Sequence, residues 1–520
     1  MRPAPPPARA AIAVLIALAL GGALRAQPAT PLGGMPAIVA APDHPSGGLR
    51  LTLEQSVAEA LARNFSVRIS SYSVDQAKAG VVIAQSVYDP VLGVQWQDLV
   101  NKSPDVTAEA VAVGTSGESI IAAYPYSSTQ QATISATQNV PTGGQIAVGY
   151  NLGRDFSTPA SLFLNPAYTG NVSLTVSQPL LQGAGLAYSR AAIELARAGE
   201  RVARINMKSA VLTMIYNVET AYYDVVFARR QYVVAQDNVR LSRQLLDENR
   251  IKRKTGVLTD LDVVQAQAAL ATARSQLIGY RQSMENAADT LLQAMGERQF
   301  KVPVGTLAVP PPPAAAVSFD VAYKLARDNG PSLAVVQATI EEYKLQALRA
   351  KREALPQLGV TGGAGRSSMQ SSYADALNRT WSGPGYNWQA GLTFSFPWGL
   401  RQSRAQYRQA EDSVRAEQTV LEQADQTLVV QIRAAVRAVR SNQEAVVSAG
   451  EATRLSEKQY DLQKGKFDAG LATSYDVLQA QYELESARVS QLQAEVNLRL
   501  AVADLHFLEG TSLETYRIKL

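Results

Sequence analysis

Thr255–Gln267 reads TGVLTDLDVVQAQ, and 214 positions later Ala469–Gln481 reads AGLATSYDVLQAQ. Gly256, Thr259, Asp262, Val263, Gln265, Ala266 and Gln267 recur without a gap as Gly470, Thr473, Asp476, Val477, Gln479, Ala480 and Gln481. Each copy stands between two long polar stretches of helical period. Its glycine can end one helix in the left-handed conformation, and its threonine can cap the next. Both copies therefore read as tips of helical hairpins, and a duplicated tip predicts a duplicated chain.

Outward from the tips the duplication holds. Ser189–Gly296 returns as Ser403–Gly510 at the same spacing, and Leu51–Val94 returns as Val317–Val360, with Ser66, Ala84, Pro90, Leu92, Gly93 and Val94 matching Ser332, Ala350, Pro356, Leu358, Gly359 and Val360. Thr52 is placed to cap a short first helix, and a second helical stretch runs from about Val67 to Tyr88. After Gly185 an apolar stripe of Val211, Ile215, Val218, Tyr222 and Val225 continues at Tyr232, Val239 and Leu246, predicting one helix to about Lys254. Such a helix of about 65 residues is roughly 100 Å long. A descending helix follows to about Met295.

Between the helical stretches the period changes to two. Leu92, Val94 and Trp96 alternate with Gly93, Gln95 and Gln97; Val172, Leu174 and Val176 alternate with Ser173, Thr175 and Ser177; Trp388, Ala390, Leu392, Phe394 and Phe396 alternate with Gln389, Gly391, Thr393 and Ser395. Asn101–Ser128 reads as a loop. Ile134 and Ala136, then Ile146, Val148, Tyr150 and Leu152, flank the turn residues Pro141–Gly144, so residues 131–153 read as an inserted hairpin whose place in the fold is open. Pro90, Pro179, Pro356 and Pro397 stand at the four joints between helix and strand, where proline stops a helix. The expected organisation is a signal peptide (1–26), a flexible tail (27–48), a first repeat (49–300), a Pro-rich linker (301–316), a second repeat (317–510) and a C-terminal tail (511–520).

About four strands per chain, each with one apolar and one small or polar face, have the pattern of a membrane barrel. Four strands cannot close a barrel, and open edges are costly in lipid, so several chains must share one. Tyr88, Trp96, Trp381, Trp388, Phe394 and Trp398 near the strand ends suit an aromatic girdle. The long helices are too polar to be buried all round. They suit a hollow cylinder of helices with a wet bore, or alternatively a solid stalk. The expected fold class is thus an α+β membrane protein, a shared β-barrel continued by a coiled-coil helical barrel.

Composition excludes other classes. The net charge is +4 over 520 residues, and basic residues are interspersed with acidic ones, so no nucleic-acid partner is expected. Arg250–Lys254 complements a helix C-terminus. Cysteine is absent, while His44 and His506 have no ligand spacing around them; no metal, cofactor or enzyme activity is expected. Gly183-Ala184-Gly185 reads as a strand-to-helix turn.

The paired openings LTLEQSVAEALARNFSV and VSFDVAYKLARDNGPSL, the strand exits VSQPLLQG and FSFPWGL, and the two G-x-x-T-x-x-D-V tips resemble the TolC family of outer-membrane efflux proteins. The resemblance covers nearly all of the mature chain. It implies a homotrimer in the outer membrane of a Gram-negative bacterium, with a twelve-stranded barrel in the lipid and a helical tunnel across the periplasm. It also implies an exit duct for tripartite efflux or type I secretion, partnered by a periplasmic adaptor and an inner-membrane pump. By position, Asp262, Asp476, Thr259, Thr473 and Tyr475 would surround a periplasmic gate, and Gly256, Val257, Leu258, Gly470 and Leu471 would meet the adaptor. Thr259-x-x-Asp262 and Thr473-x-x-Asp476 are equally capping boxes. Where some members carry an ionic lock at the tip, this chain has Ala472 and Gln479. The alternative function is a periplasmic adaptor, a scaffold of helical hairpins without membrane strands.

Overall fold

Two helices set the scale. In the computed structural model α3 (Ala191–Lys254) has 64 residues and α8 (Arg401–Asp468) has 68, about 100 Å each at 1.5 Å per residue. The structure describes residues 49–104, 107–112, 118–123, 125–158, 163–298, 300, 304–308 and 317–518. The expected signal peptide and the 27–48 tail lie outside the described residues, as does most of 301–316.

Each long helix is flanked by three shorter helices, two of them laid end to end. Beside α3 stand α1 (Leu53–Arg63), α2 (Phe65–Gln85) and α4 (Asp260–Ala294); beside α8 stand α5 (Phe319–Asn329), α6 (Pro331–Glu353) and α9 (Ser474–Glu509). The sequence dictates these breaks. Thr52 and Gln55 form a capping box at the start of α1, and the Asn64 side chain accepts the N–H groups of Ser66 and Val67 to restart the chain as α2. The ends meet at glycines with φ of +76° at Gly296 and +71° at Gly510. A Cβ would lie 2.6 Å from the Arg63 carbonyl oxygen at the first joint and 2.7 Å from that of Asn329 at the second. Only glycine admits both the conformation and the approach. Asn64 Nδ2 donates to the Ala294 carbonyl at 2.9 Å, and Arg63 pairs with Glu297 at 2.8 Å across the first joint.

The predicted stripe of α3 is the core. Val211, Ile215, Val218, Tyr222 and Val225 are fully buried, packed with Val57, Ala60, Leu291 and Met295. Here two expectations are corrected. Part of the supposed linker is strand β8 (Val304–Leu307), which pairs in parallel with β1 (Leu49–Leu51). The Tyr222 hydroxyl reaches the Leu51 and Ala308 carbonyls at 3.1 and 2.6 Å, and the Arg229 guanidinium donates to the Val304 and Gly305 carbonyls. The expected 511–520 tail is docked through residue 518: Leu513 is buried, and the Tyr516 hydroxyl donates to the buried carboxyl of Glu219.

The strands form one sheet of six, in the order β10-β9-β7-β6-β5-β2, with every pair antiparallel. They are β2 (Val91–Lys102), β5 (Tyr126–Asn139), β6 (Gln145–Thr158), β7 (Ala167–Pro179), β9 (Gln357–Gln370) and β10 (Tyr386–Ser395). The expected four strands are therefore six, and the hairpin at 131–153 lies inside the sheet. The expected loop at 101–128 is corrected too: β2 runs to Lys102, β3 (Thr107–Ala112) pairs with β4 (Glu118–Ala123), and β5 begins at Tyr126. Helix α7 (Tyr373–Ser382) spans the far end between β9 and β10, with Trp381 stacked on Tyr150. Pro90 and Pro356 precede β2 and β9, Pro179 closes β7 and Pro397 follows β10, so all four prolines lie at the end of the sheet that meets the helices. Among the described residues no helix is long and apolar enough to cross a membrane.

Burial raises the Glu219 carboxyl to about 7, a rise the Tyr516 hydrogen bond only moderates. The folded state then holds a proton that the unfolded chain has released, so stability falls as pH rises from about 4.5 to about 7 and is level above. Glu219→Gln is expected to remove this contribution to the slope and to stabilise the protein at pH 8 by on the order of 3 kcal/mol, read from thermal midpoints of detergent-solubilised protein across this pH range.

Candidate functional site

The far ends of the long helices carry the repeated tips, and each tip is closed in the same way. Gly256 (φ +76°) and Gly470 (φ +78°) end α3 and α8. The N–H groups of Gly256 and Val257 bond to the Arg253 and Lys252 carbonyls, and those of Gly470 and Leu471 to the Phe467 and Lys466 carbonyls, at 2.8–3.1 Å. This is the glycine-terminated end that satisfies the last carbonyls of a helix.

The predicted acidic residues are turned back onto their own caps. The Asp262 carboxylate accepts the Thr259 N–H at 2.9 Å and its hydroxyl at 2.6 Å; Asp476 does the same with Thr473 at 2.8 and 2.7 Å. In return each threonine oxygen accepts the aspartate N–H, at 3.3 and 3.2 Å. The Thr473 backbone N–H, and then its hydroxyl, hold the exposed Asp476 carboxyl below the usual carboxylate range. Tyr475, Val257 and Leu471 project into solvent, the last 80% exposed. Leu258 does not: it packs on a cluster of Leu245, Phe467 and Val477 with Tyr460, Ala472 and Leu478. The second tip supplies most of this cover, so Leu258, expected to meet the adaptor, instead packs between the tips. Ala472 belongs to this same cluster, and Gln479 donates to Glu483 at 3.0 Å.

Between the two tips runs a polar joint that sequence reasoning missed. Asn249 is fully buried, and its amide donates to Ser474 Oγ at 2.6 Å and to the Asp262 carbonyl at 3.2 Å. Lys252 donates to the Phe467 carbonyl at 2.9 Å, with its ammonium 3.6 Å from the Phe467 ring centre. Lys464 donates to Glu248 at 2.6 Å and to Asp468 at 2.9 Å. Burial alone would lower the Lys464 pKa; these two hydrogen bonds outweigh it and raise the value, while Lys464 holds Asp468 below the ordinary carboxylate range. Gln481 extends the joint up the helices to Ser242 Oγ at 2.8 Å. A signal was present in the sequence. At the 214-residue spacing Ser474 answers to Asp260, Glu248 to Leu462 and Asp468 to Lys254, so several partners sit where the copies disagree, while Lys252, Gln481 and Ser242 answer to the identical residues Lys466, Gln267 and Ser456.

A two-faced sheet joined by four prolines to long helical hairpins, twice in one chain, is a specific arrangement. The family model described as outer membrane efflux protein matches residues 122–297 and 322–511. The chain belongs to this family. Among curated relatives of the outer membrane efflux protein family, BepC of Brucella suis is 25% identical over 383 residues, covering 71% of this chain and 77% of BepC. TolC of Escherichia coli is 23% identical over 312 residues, covering 56% of this chain and 62% of TolC. The solved CmeC outer membrane channel of Campylobacter jejuni superposes with a TM-score of 0.64 at 16% identity, over 88% of this chain and 85% of that one, which shows a shared fold.

The buried and exposed parts of the joint separate by magnitude. Asn249→Ala leaves the Ser474 hydroxyl without its partner in the core of the joint, a loss of about 1–3 kcal/mol. Arg253→Ala removes an exposed pair with Asp260 and costs about 0.5 kcal/mol or less. Asn249→Ala combined with Lys252→Met should therefore speed amide hydrogen exchange over 245–262 and 464–478, with Arg253→Ala close to the unmodified protein.

Proposed function

We propose that this protein is the outer-membrane exit duct of an export system, a passive conduit built from three copies and loaded by an adaptor and a pump from the cell side. One observation carries the reading. A single antiparallel sheet with one apolar face, open at both edges, passes through proline joints into helical hairpins about 100 Å long. The apolar face is exposed along β2 and β10, with Leu92 at 67%, Trp388 at 74% and Leu392 at 69%. Water is a poor solvent for that surface and lipid a good one. Open edges are tolerable in lipid only if other copies cover them. An adaptor scaffold has no use for such a sheet, which disfavours the alternative.

In this reading the tips are the inner mouth. Six carboxylates from Asp262 and Asp476 of three copies would gather near one axis and attract cations, while each also caps its helix. The exposed Val257 and Leu471 side chains would receive the apolar face of an adaptor hairpin.

Recovery of the protein in the outer-membrane fraction as an assembly that dissociates on heating is the first requirement; a soluble monomer would sink the duct. In planar bilayers Asp262→Ala with Asp476→Ala should weaken divalent-cation block by at least several-fold, whereas an unchanged block would leave both residues as caps alone. For docking, Leu471→Asp should remove crosslinking of the assembled protein to its adaptor without dissociating the assembly, and retained crosslinking would place the adaptor elsewhere.

A further inference from the structure

The two repeat copies contribute unequally to the sheet. The second supplies β9 and β10, the first β2, β5, β6 and β7. Pro90 to Val94 matches Pro356 to Val360, which ties β2 to β9, and the exits at Pro179 and Pro397 tie β7 to β10. The hairpin β5–β6 is the surplus. We propose that this hairpin is a full part of the barrel wall, lipid on one face and bore on the other, so that three copies of six strands close a ring of eighteen where the family resemblance implies twelve. The inference rests on the duct reading above.

Register is the main argument. Straight across the sheet, Leu92, Ala136, Val148, Leu174, Ala364 and Trp388 form one row. The adjacent row is Gly93, Ser135, Gly149, Ser173, Gly365 and Asn387. In these two rows every strand, the surplus pair included, puts an apolar group on one face and a small or polar group on the other. A slip of one residue anywhere in the hairpin would reverse its faces. Its apolar face is also as open as that of its neighbours: Val148 is 45% exposed, against 44% for Leu174 and 41% for Val360. Only toward the far end is this face covered, where α7 sets Trp381 on Tyr150 and Tyr373 against Gln130.

The turn is fastened where a wall strand must begin. The Thr142 hydroxyl donates to Gln178 Oε1 at 2.7 Å, and the Thr142 carbonyl accepts the Gly185 N–H at 3.0 Å. A Cβ on Gly143 would lie 2.3 Å from the Gly183 carbonyl oxygen. The turn thus lies against the strand-to-helix joint after Pro179, and swinging the hairpin into the bore would break this contact and its ladders to both β2 and β7.

Chain direction agrees. Adding two strands keeps the alternation, so β2 leaves the helices and β10 returns to them. The β10 of one copy can then meet the β2 of the next in the same antiparallel sense as every pair within the sheet. Barrel diameter grows roughly in proportion to strand number. Eighteen strands in place of twelve widen the outer section about 1.5-fold and roughly double its cross-section, suiting bulkier cargo than the twelve-stranded wall would pass.

The chain has no cysteine, which makes the test direct. Single variants Ser135→Cys and Ala147→Cys (bore face), Ile134→Cys and Val148→Cys (lipid face), with Thr175→Cys and Leu174→Cys on β7 as reference, are reconstituted in liposomes as full assemblies and exposed to a membrane-impermeant maleimide. The expected result is rapid labelling of Ser135→Cys, Ala147→Cys and Thr175→Cys and at least tenfold slower labelling of the other three. Equal labelling of both faces on β5 and β6, with alternation kept on β7, overturns the wall assignment and leaves the duct standing. Loss of alternation on β7 as well removes the duct reading and this inference together. Should a variant fail to assemble, a cryo-electron microscopy reconstruction of the unmodified protein decides: six strands per copy in the wall supports the proposal, and four overturns it.

Discussion

Each strand in the middle of a sheet has its backbone N–H and C=O groups satisfied on both sides; a strand at the edge has one side open. In this chain the open edges belong to β2 and β10, the strands whose apolar side chains are also most exposed. Natural edge strands are usually blunted by charge, proline or a bulge. Tyr386–Ser395 has no charged residue and no proline. Such an edge is receptive, and in the proposed assembly the antiparallel relation of β10 to β2 allows copies of the same chain to cover it. In the proposed duct much of the remaining architecture is subordinate to that closure. The strands must start and stop at one level, which the four joint prolines enforce, and the helices must leave that level without crossing the sheet.

The helical half of the fold was legible because helices announce themselves over long windows. The stripe from Val211 to Val225 and the caps at Thr52, Thr259 and Thr473 stand in the structure where period and residue type place them. The strand half was legible only where apolar contrast is strong, as at Val172–Val176. Tyr126–Asn139, with its Ser, Thr, Gln and Ala, has little contrast between its faces, and its strand character is supplied by neighbours on both sides. The strand at Val304–Leu307 is hidden in the sequence for a related reason. Four residues carry no period, and what makes them a strand is pairing with Leu49–Leu51 and the reach of Arg229 and Tyr222 from α3. The docking of Tyr516 onto Glu219 lies beyond any local signal, since it joins residues nearly 300 positions apart.

At the tips, duplication explains the turns but not the contact between them. Two identical surfaces complement each other only when a twofold axis relates them, and a donor repeated at the same place in both copies meets another donor. The copies have diverged at part of this contact: Asn249 answers to Gln463 and Ser474 to Asp260, whereas Lys252 answers to Lys466. The first tip brings the Asn249 amide and the Lys252 ammonium; the second brings the Ser474 hydroxyl, the Phe467 carbonyl and the Asp468 carboxylate. Conserving the cap while changing the contact separates two tasks. The capping boxes hold each hairpin together by local bonds within one tip, whatever the other tip does.

The strength of the joint follows from its burial. Lys252 and Lys464 are a fifth to a quarter exposed, and their partners Asp468 and Glu248 are more open still, so these pairs contribute little more than surface pairs do, about 1 kcal/mol or less each. The Asn249–Ser474 bond is sealed from water and is the larger single term. Added to the small apolar cluster around Leu245, Phe467 and Val477, the total is a few kcal/mol. Each hairpin is secured separately by some 35 residues of helix pairing and by its own cap. Force applied between the tips therefore parts them before it unravels either one.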